Sequence, residues 1–382
     1  MEIRKKLKVC HITSMHDWND DRIFERACIG LANEGIDITL ISPYTKKEDT
    51  VEGVKIKGLK ERKGITRRIF SSGEAYFKAR NLDADIFHFH DPDLLPWMYF
   101  LLWSGRKVIF DIHENYLSRI EKSTLPFFLK NIVKKIWRGL EMHFIKLSGG
   151  ASVTTPSMAN LYADTEVPIL VTSNIISLNR LKSISLFADK DSYPSVYTSG
   201  THSDARNCQQ TIIAFATVLK VFPTAKLKFL GRYQPEDYQE TLSNLSKSLG
   251  IEKNVELHGM LSWDENFSRL SKAHIGCVFY EDNLNNRVTI PNRLFEYMYT
   301  GTAVLGEYFP EVKRVIEDAD CGATVNSSNP TEISAAIISL FSNLDSLKQK
   351  GINGKKAVET KYNFEIALKE MIDYYYKIIQ VD

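Results

Sequence analysis

The chain has 382 residues, about two and a half times the ~150 residues of a typical domain, so two domains are the first expectation. Hydrophobic residues at 43% and charged residues at 25%, with 20 Gly and 12 Pro, exclude collagen-like, mucin-like and largely disordered chains. The net charge of +2 is unevenly placed: residues 55–80 hold nine Lys/Arg against two Glu and residues 119–146 seven against two, which predicts one basic face.

Short β-branched runs alternate with longer helical patterns from end to end, the pattern of parallel sheets covered by helices, and the fold class is α/β. The first half predicts strands at 8–13, 37–42, 85–90, 107–113, 151–155 and 169–172, with 54–58 as an edge strand. The clearest helix carries Ile23, Phe24, Ala27, Cys28, Leu31 and Ala32 on one face and stops at Gly35. After an irregular stretch, the second half predicts strands at 195–199, 226–230, 255–258, 275–279, 303–306 and 323–325. Helices are expected between them near 207–221, 236–249, 263–273, 291–300, 310–318 and 330–342, and a last helix spans 364–380. The expected organisation is a doubly wound domain over 1–175, a linker over 176–194, a second doubly wound domain over 195–360 and a terminal helix over 361–382. Ligands in such folds bind beyond the carboxyl ends of the strands, so the chemistry is sought in the strand-end loops and the cleft between the domains.

Five cysteines form no C-x-x-C pair and mostly lie in apolar runs, as reduced core thiols do. The basic start Met1 to Lys6 lacks a long apolar region behind it, and the longest apolar run, 94–103, falls short of the ~18 residues a bilayer span needs. A cytoplasmic protein without a membrane span is expected.

No G-x-G-x-x-G, Walker A or G-x-S-x-G sequence is present, so dinucleotide oxidoreductases, P-loop kinases and α/β-hydrolases lose their main support. His113-Glu114 begins like a zinc-protease motif, but Leu117 stands where the second His belongs. Asp83-Ala84-Asp85 and Asp91-Pro92-Asp93 are D-x-D patterns; the second reads either as a cation site or as the cap of the helix that follows, with the cap favoured. His88 and His90 share one face of a strand and His113 ends another, open to a His cluster or to backbone-satisfied strand-end residues, the latter favoured.

The richest stretch is Thr289 to Met298 with Gly301. Pro291 at a first helical position after a strand defines a helix start whose N–H groups accept an anion, and Arg293 adds a fixed cation beside Asn292 and Leu294. Glu296 lies on the same helix face, either for hydroxyl groups such as those of ribose or as half of a solvated pair with Arg293. Arg206, on the loop after Gly200, could join the same anion site, and Gly231-Arg232 ends the next strand in the same way.

Together with His11-Ile12-Thr13, Arg22-Ile23-Phe24, His88-Phe89-His90-Asp91-Pro92 and Asp111-Ile112-His113-Glu114, the Pro291–Met298 motif resembles the GT-B glycosyltransferases of glycosyltransferase family 4, over essentially the whole chain. The resemblance implies two Rossmann-like domains facing across a cleft and a C-terminal helix crossing back to the first. It also implies retaining, metal-independent transfer of a sugar from a nucleotide-diphosphate donor, with no cofactor. By position, Glu296 corresponds to the second glutamate of the family's E-x7-E motif, which binds ribose, Arg206 to the residue that neutralises the diphosphate, and His113 to the histidine that touches the donor sugar. Asp20, Asp21, Arg22, His90, Asp91 and Glu114 fall on the acceptor side. The sequence departs from the pattern at Val288, which replaces the first glutamate, at Thr201, which replaces an Arg, and in the first loop, where Met15 to Arg22 replace a Gly-rich run.

Lys130, Lys134 and Arg138 at four-residue spacing among Phe127, Phe128, Ile132, Val133, Ile136 and Trp137 read either as a basic amphipathic helix facing an anionic membrane or as a helix whose Lys stems cover their own core. No nucleic-acid motif accompanies the basic face. The activity expected is transfer of a hexose or N-acetylhexosamine, from UDP rather than GDP, to a lipid-linked saccharide in surface polysaccharide synthesis at the inner face of the membrane. A sugar-nucleotide epimerase on the same fold and a non-catalytic sugar-nucleotide-binding scaffold are the alternatives.

Overall fold

The computed structural model describes residues 6–62, 64, 67–187 and 189–380. The basic start over residues 1–5 therefore lies outside the described residues. The chain divides into two compact units, residues 1–174 with 364–382, and residues 175–363.

The first unit is built on an eight-stranded sheet of β1 (Lys8–Ile12), β2 (Asp37–Pro43), β3 (Glu48–Val51), β4 (Val54–Leu59), β5 (Ile86–Phe89), β6 (Lys107–Ile112), β7 (Ala151–Val153) and β8 (Ile169–Val171). Their order is β3-β4-β2-β1-β5-β6-β7-β8, parallel except for the β3–β4 pair. Chain order reverses between β1 and β5, the switch point at which a doubly wound sheet leaves a crevice beyond its carboxyl ends. Ile12, Phe87, Phe89, Phe110 and Ile112 are fully buried in its centre, each contributing roughly 1.5–3 kcal/mol by leaving water.

The stretch read as an edge strand is interior: β4 pairs β2 on one side and β3 on the other. The true edge, Glu48-Asp49-Thr50-Val51, is charged and half solvated, so its composition reads as loop, while Glu52 and Gly53 at positive φ make the tight turn that folds it back. The first helical segment caps on Asp20, winds as a π-helix over Asp21–Cys28, continues over Ile29–Asn33 and buries Ile23, Phe24, Ala27, Cys28 and Leu31 as the periodicity predicts.

The terminal helix Phe364–Gln380 packs on this same sheet, with Tyr375 fully buried and the Tyr374 hydroxyl donating to the Pro168 carbonyl at 2.8 Å.

The second unit carries β9 (Ser195–His202), β10 (Lys226–Tyr233), β11 (Val255–His258), β12 (Ile275–Val278), β13 (Ala303–Glu307) and β14 (Gly322–Val325), all parallel in the order β11-β10-β9-β12-β13-β14. Its switch point falls between β9 and β12, so the loops after those strands, 203–207 and 279–291, share one end of the sheet. Val196, Ile212, Phe215, Phe229, Leu242, Ile275, Ile333 and Ile337 form its core. One long helix, Leu344–Thr360, has no apolar periodicity strong enough to read, and carries Gly351 and Gly354. Those glycines are there for packing: a Cβ on Gly351 would overlap the Gly301 carbonyl, and one on Gly354 would press on Met298 and Cys321.

Candidate functional site

Two clusters of charged side chains stand at the two switch points. In the second unit, Arg206 lies in a short 3-10 turn, Asp204–Arg206, and the helix Asn292–Tyr299 begins one residue after Pro291, which flanks it rather than opening it. Tyr280, at the end of β12, joins them: the Arg206 guanidinium lies 3.7 Å from its ring centroid and that of Arg293 5.9 Å. No carboxylate lies within ion-pair distance of either cation among the described residues, and Arg206 Nη1 is buried without a hydrogen-bond partner among them. Burial, partly offset by Tyr280 and reinforced by the Arg293 charge, pushes the Arg206 guanidinium below its ordinary value. Two half-buried like charges held against one ring are unfavourable unless an anion completes them.

The solvated Arg293–Glu296 pair is not formed, because Arg293 turns inward to Gly200 and Tyr280. Glu296 stays half-buried on the same helix and still acts on Arg293 through its charge. Gly200 and Gly231 serve the protein's own packing. Gly200 sits at φ 100°, where a Cβ would overlap the Arg293 guanidinium, and a Cβ on Gly231, at φ 137°, would overlap the Gly200 carbonyl. Arg232 donates through Nε to Thr201 Oγ1 at 3.0 Å, the side chain of Leu294 is wholly in the core, and Asn292 takes the first position of the helix. Val288 closes a turn, its N–H bonded to the Asn285 carbonyl at 3.1 Å.

Sequence reasoning missed Tyr280 and Glu307. Glu307, 2% exposed at the end of β13 in the strand next to the one that leads to Tyr280, accepts the Ser327 N–H at 3.2 Å and the Ser327 hydroxyl. An aromatic residue just past a buried strand at a switch point was the available signal for Tyr280; Glu307 stands in no motif.

In the first unit, β1, β5 and β6 bring His11, His88, His90, Asp111 and His113 together. Asp111 Oδ2 accepts from His90 Nδ1 at 3.0 Å and His113 Nε2 at 2.6 Å, while Oδ1 accepts from Ser152 Oγ at 2.8 Å and Arg22 Nη2 at 3.0 Å. Burial alone would raise the Asp111 carboxyl, but Arg22 and His113 hold it well below the ordinary range. The histidines are satisfied by side chains, not by backbone as favoured above: His11 Nδ1 meets His90 Nε2 at 2.9 Å, and His88 meets Tyr375 and Ser152.

Atoms of His90, Asp111 and His113 lie within 4.8 Å of one another, a spacing at which a metal ion could be held. The donor set does not suit one, because the carboxylate is already neutralised by Arg22 and the facing imidazole nitrogens are committed to it.

The acceptor-side residues have structural partners. Arg22 also donates to the Thr172 carbonyl at 3.1 Å and to Asn174 Oδ1 at 2.5 Å; Asp20 accepts from the N–H groups of Arg22 and Ile23; Asp21 pairs with Arg26 at 2.8 Å, and Glu114 with Arg119 at 2.8 Å. His90 and Asp91 are each 3% exposed. Asp91 does not cap the next helix through its side chain, the reading favoured above. Its Oδ2 instead accepts from Thr13 Oγ1 at 2.6 Å, Ser14 N at 2.7 Å and Met15 N at 3.1 Å, tying down the loop after β1. Asp83 and Asp85 both bind Lys8, at the opposite end of the sheet.

The three cations assigned to a membrane surface are half-buried and tied to their own chain. Lys130 donates to the Glu121 carbonyl at 2.6 Å, Lys134 pairs with the Glu121 carboxylate, and Arg138 binds Glu141 and the Leu161 carbonyl while lying 4.6 Å from the Tyr162 ring centroid. The four-residue stripe that looked outward is the one that fastens the helix Phe127–Ser148 to the unit. What it leaves outside is apolar: Phe127 and Phe128 are 75% and 65% exposed, followed by Ile132, Ile136 and Leu140. No helix among the described residues is long and apolar enough to cross a membrane.

Two family models between them match most of the chain, Glycosyl transferases group 1 over residues 186–357 and Glycosyltransferase Family 4 over residues 22–180. No curated protein matches it by sequence. Among solved structures, sucrose-phosphate synthase from Thermosynechococcus elongatus superposes with a TM-score of 0.73 at 14% identity, covering 99% of this chain and all of that one. HepE from Anabaena, in complex with UDP and glucose, gives 0.71 at 10% identity, covering 97% of this chain and all of that one. WaaG, a glycosyltransferase involved in lipopolysaccharide biosynthesis, gives 0.66 at 12% identity, covering 94% and 98%.

Proposed function

Given that the chain belongs to the group 1, family 4 type of glycosyltransferases with the GT-B fold, we propose that it transfers a hexose or N-acetylhexosamine from a UDP-sugar to a lipid-linked saccharide with retention of anomeric configuration. The observation that carries the donor side is the pair of guanidinium groups on Tyr280 with no carboxylate at ion-pair distance and one unpartnered buried nitrogen. Breaking a glycosyl–phosphate bond places negative charge on the leaving diphosphate. Arg206, Arg293 and the start of the Asn292–Tyr299 helix are fixed where such a charge would be stabilised as it develops, a role that divalent metals fill elsewhere. Glu296 is assigned to the ribose hydroxyls and His113 to the transferred sugar, following the family's motif. A UDP donor draws support from HepE, which binds UDP and glucose.

The lipid-linked acceptor and a role in surface polysaccharide synthesis draw support from WaaG and from the exposed stripe Phe128, Ile132 and Ile136, flanked by exposed Lys135 and Lys146. Large apolar side chains beside cations suit shallow insertion at the inner face of an anionic bilayer.

The test is thermal stability of the purified protein against UDP, GDP and a panel of their sugars. A ligand at ~100 times its dissociation constant stabilises by ~2.7 kcal/mol, a visible midpoint shift. A shift with uridine nucleotides that is lost in Arg206→Ala supports the donor site, and none with any nucleotide refutes it; a shift without turnover on any acceptor would favour the scaffold alternative. Conversion of a sugar nucleotide with no acceptor present would favour the epimerase.

A further inference from the structure

Six side chains of the first unit close a ring of hydrogen bonds. From Asp111 Oδ2 it runs to His90 Nδ1 (3.0 Å), from His90 Nε2 to His11 Nδ1 (2.9 Å) and from His11 Nε2 to the Tyr375 hydroxyl (3.2 Å). It returns from that hydroxyl to His88 Nδ1 (2.6 Å), from His88 Nε2 to Ser152 Oγ (3.0 Å), and from Ser152 Oγ to Asp111 Oδ1 (2.8 Å). All six members are at most 3% exposed, so water does not complete any of these contacts.

Counting protons shows what the ring lacks. Each of the six contacts needs one hydrogen. Three neutral imidazoles, one phenol and one serine hydroxyl supply five, and the carboxylate supplies none. With five, one contact must set two lone pairs face to face at hydrogen-bond distance, which is costly in a buried site. With six, every contact closes whichever imidazole holds the second proton, because reversing the Tyr375 hydroxyl and the neighbouring tautomers passes the charge among His88, His11 and His90. In all three arrangements His90 and Ser152 donate to Asp111, the same carboxylate that orients His113 Nε2.

We propose that this ring is a positioning network for His113 that takes up one shared proton, and that Tyr375, contributed by the terminal helix, creates the vacancy. The assignment of His113 to the sugar rests on the function proposed above; the proton vacancy does not. Removing the Tyr375 hydroxyl leaves four contacts and four protons, and removing Ser152 Oγ does the same, so either change abolishes the need for the sixth proton. Burial and the mutual repulsion of the imidazoles push His11, His88 and His90 down, so the vacancy fills on acidification. The other charged or titratable groups around the ring are Arg22, Arg26 and Cys28 from the 21–28 helix, His113 at the end of β6 and Tyr374 beside Tyr375. Arg22 pairs with Asp111, and the two act on His88 and His90 in opposite directions, the guanidinium opposing the added proton and the carboxylate favouring it.

The experiment follows histidine tautomers by 1H–15N NMR from pH 8 to pH 4 in the full chain and in Tyr375→Phe and Ser152→Ala, alongside the pH dependence of kcat. One proton is expected to enter the ring histidines of the native protein and none those of either variant. In both variants kcat should fall at least tenfold and its acid limb should move, with KM for the nucleotide sugar unchanged. Equal uptake in native protein and both variants, or none in any, overturns the vacancy. A variant that melts earlier yet keeps the native kcat and pH profile overturns the positioning role and leaves Tyr375 as packing alone. The NMR arm needs no substrate, so failure to turn over any nucleotide sugar would refute the proposed function while still reading the ring.

Discussion

The two switch points are filled in opposite ways. In the first unit Asp111 has Arg22 as its cation and each ring nitrogen of His11, His88 and His90 faces a side-chain partner, so what the cluster lacks is a proton and not a ligand. In the second, two guanidinium groups share one aromatic ring and an Arg206 nitrogen is left over. A closed network holds geometry, whereas an open charge waits for a ligand. The contrast teaches that a dense cluster of titratable residues is a poor sign of ligand binding by itself; the unsatisfied remainder is the better one.

The largest effect expected from breaking this contrast comes at its open end. Arg206→Ala should lower kcat by roughly 100-fold or more, the scale of losing one group that stabilises developing charge, and should also weaken nucleotide binding, measured by steady-state kinetics and calorimetry. His113→Ala is expected to cost a similar factor in turnover while leaving nucleotide affinity within about twofold, because the proposed function assigns it to the sugar and not to the diphosphate; normal turnover would remove it from the site. Next comes Gly200→Ala, which puts a side chain at φ 100° against Arg293. A loss of about 1–3 kcal/mol is expected in chemical denaturation, with weaker nucleotide binding if Arg293 is displaced.

Smaller still is the effect expected at the proposed membrane face. Replacing Phe128, Ile132 and Ile136 by Ser should abolish flotation with anionic liposomes, whereas Lys130→Glu should leave it unchanged, since Lys130 is bound to its own chain; the reverse pattern would restore the basic-stripe reading. The mildest is Asp20→Ala, expected to cost about 0.5–2 kcal/mol as a lost helix cap. Burial opposes ionisation of Asp20, yet the His16 hydrogen bond and the Ile23 and Arg22 N–H groups outweigh it and hold the carboxyl below its ordinary value. A depressed folded value means this contribution is full above the unfolded value of ~3.9 and lost as pH falls through the folded one. The stability gap between native protein and variant should therefore narrow in acid, as urea titrations at two pH values would show.

Much of the fold was legible because the burial that drives it is periodic. β1, β2, β9 and β10 are apolar runs ended by polar or glycine turns, and the helix Asn292–Tyr299 announces itself through Pro291 and the Leu294, Phe295, Met298 face. β3 escaped because a charged edge strand looks like loop, and Leu344–Thr360 escaped because it packs through glycines and not through an apolar stripe. In the helix Phe127–Ser148, spacing placed Lys130, Lys134 and Arg138 on one face but could not say what that face meets; Glu121 and Tyr162, on other elements, engage it.

By itself, then, the sequence determined the α/β class, the two mainly parallel sheets and the candidates Arg206, Arg293 and Glu296, because periodicity and helix-start chemistry are local, while His113 entered through the family resemblance. Only the tertiary structure decided that Tyr280 lies under both arginines and that Tyr375 meets His88 across 287 positions of chain. Those are pairings between distant strand ends and a returning helix, set by which sheet edges adjoin and how far side chains reach, and no local pattern encodes either.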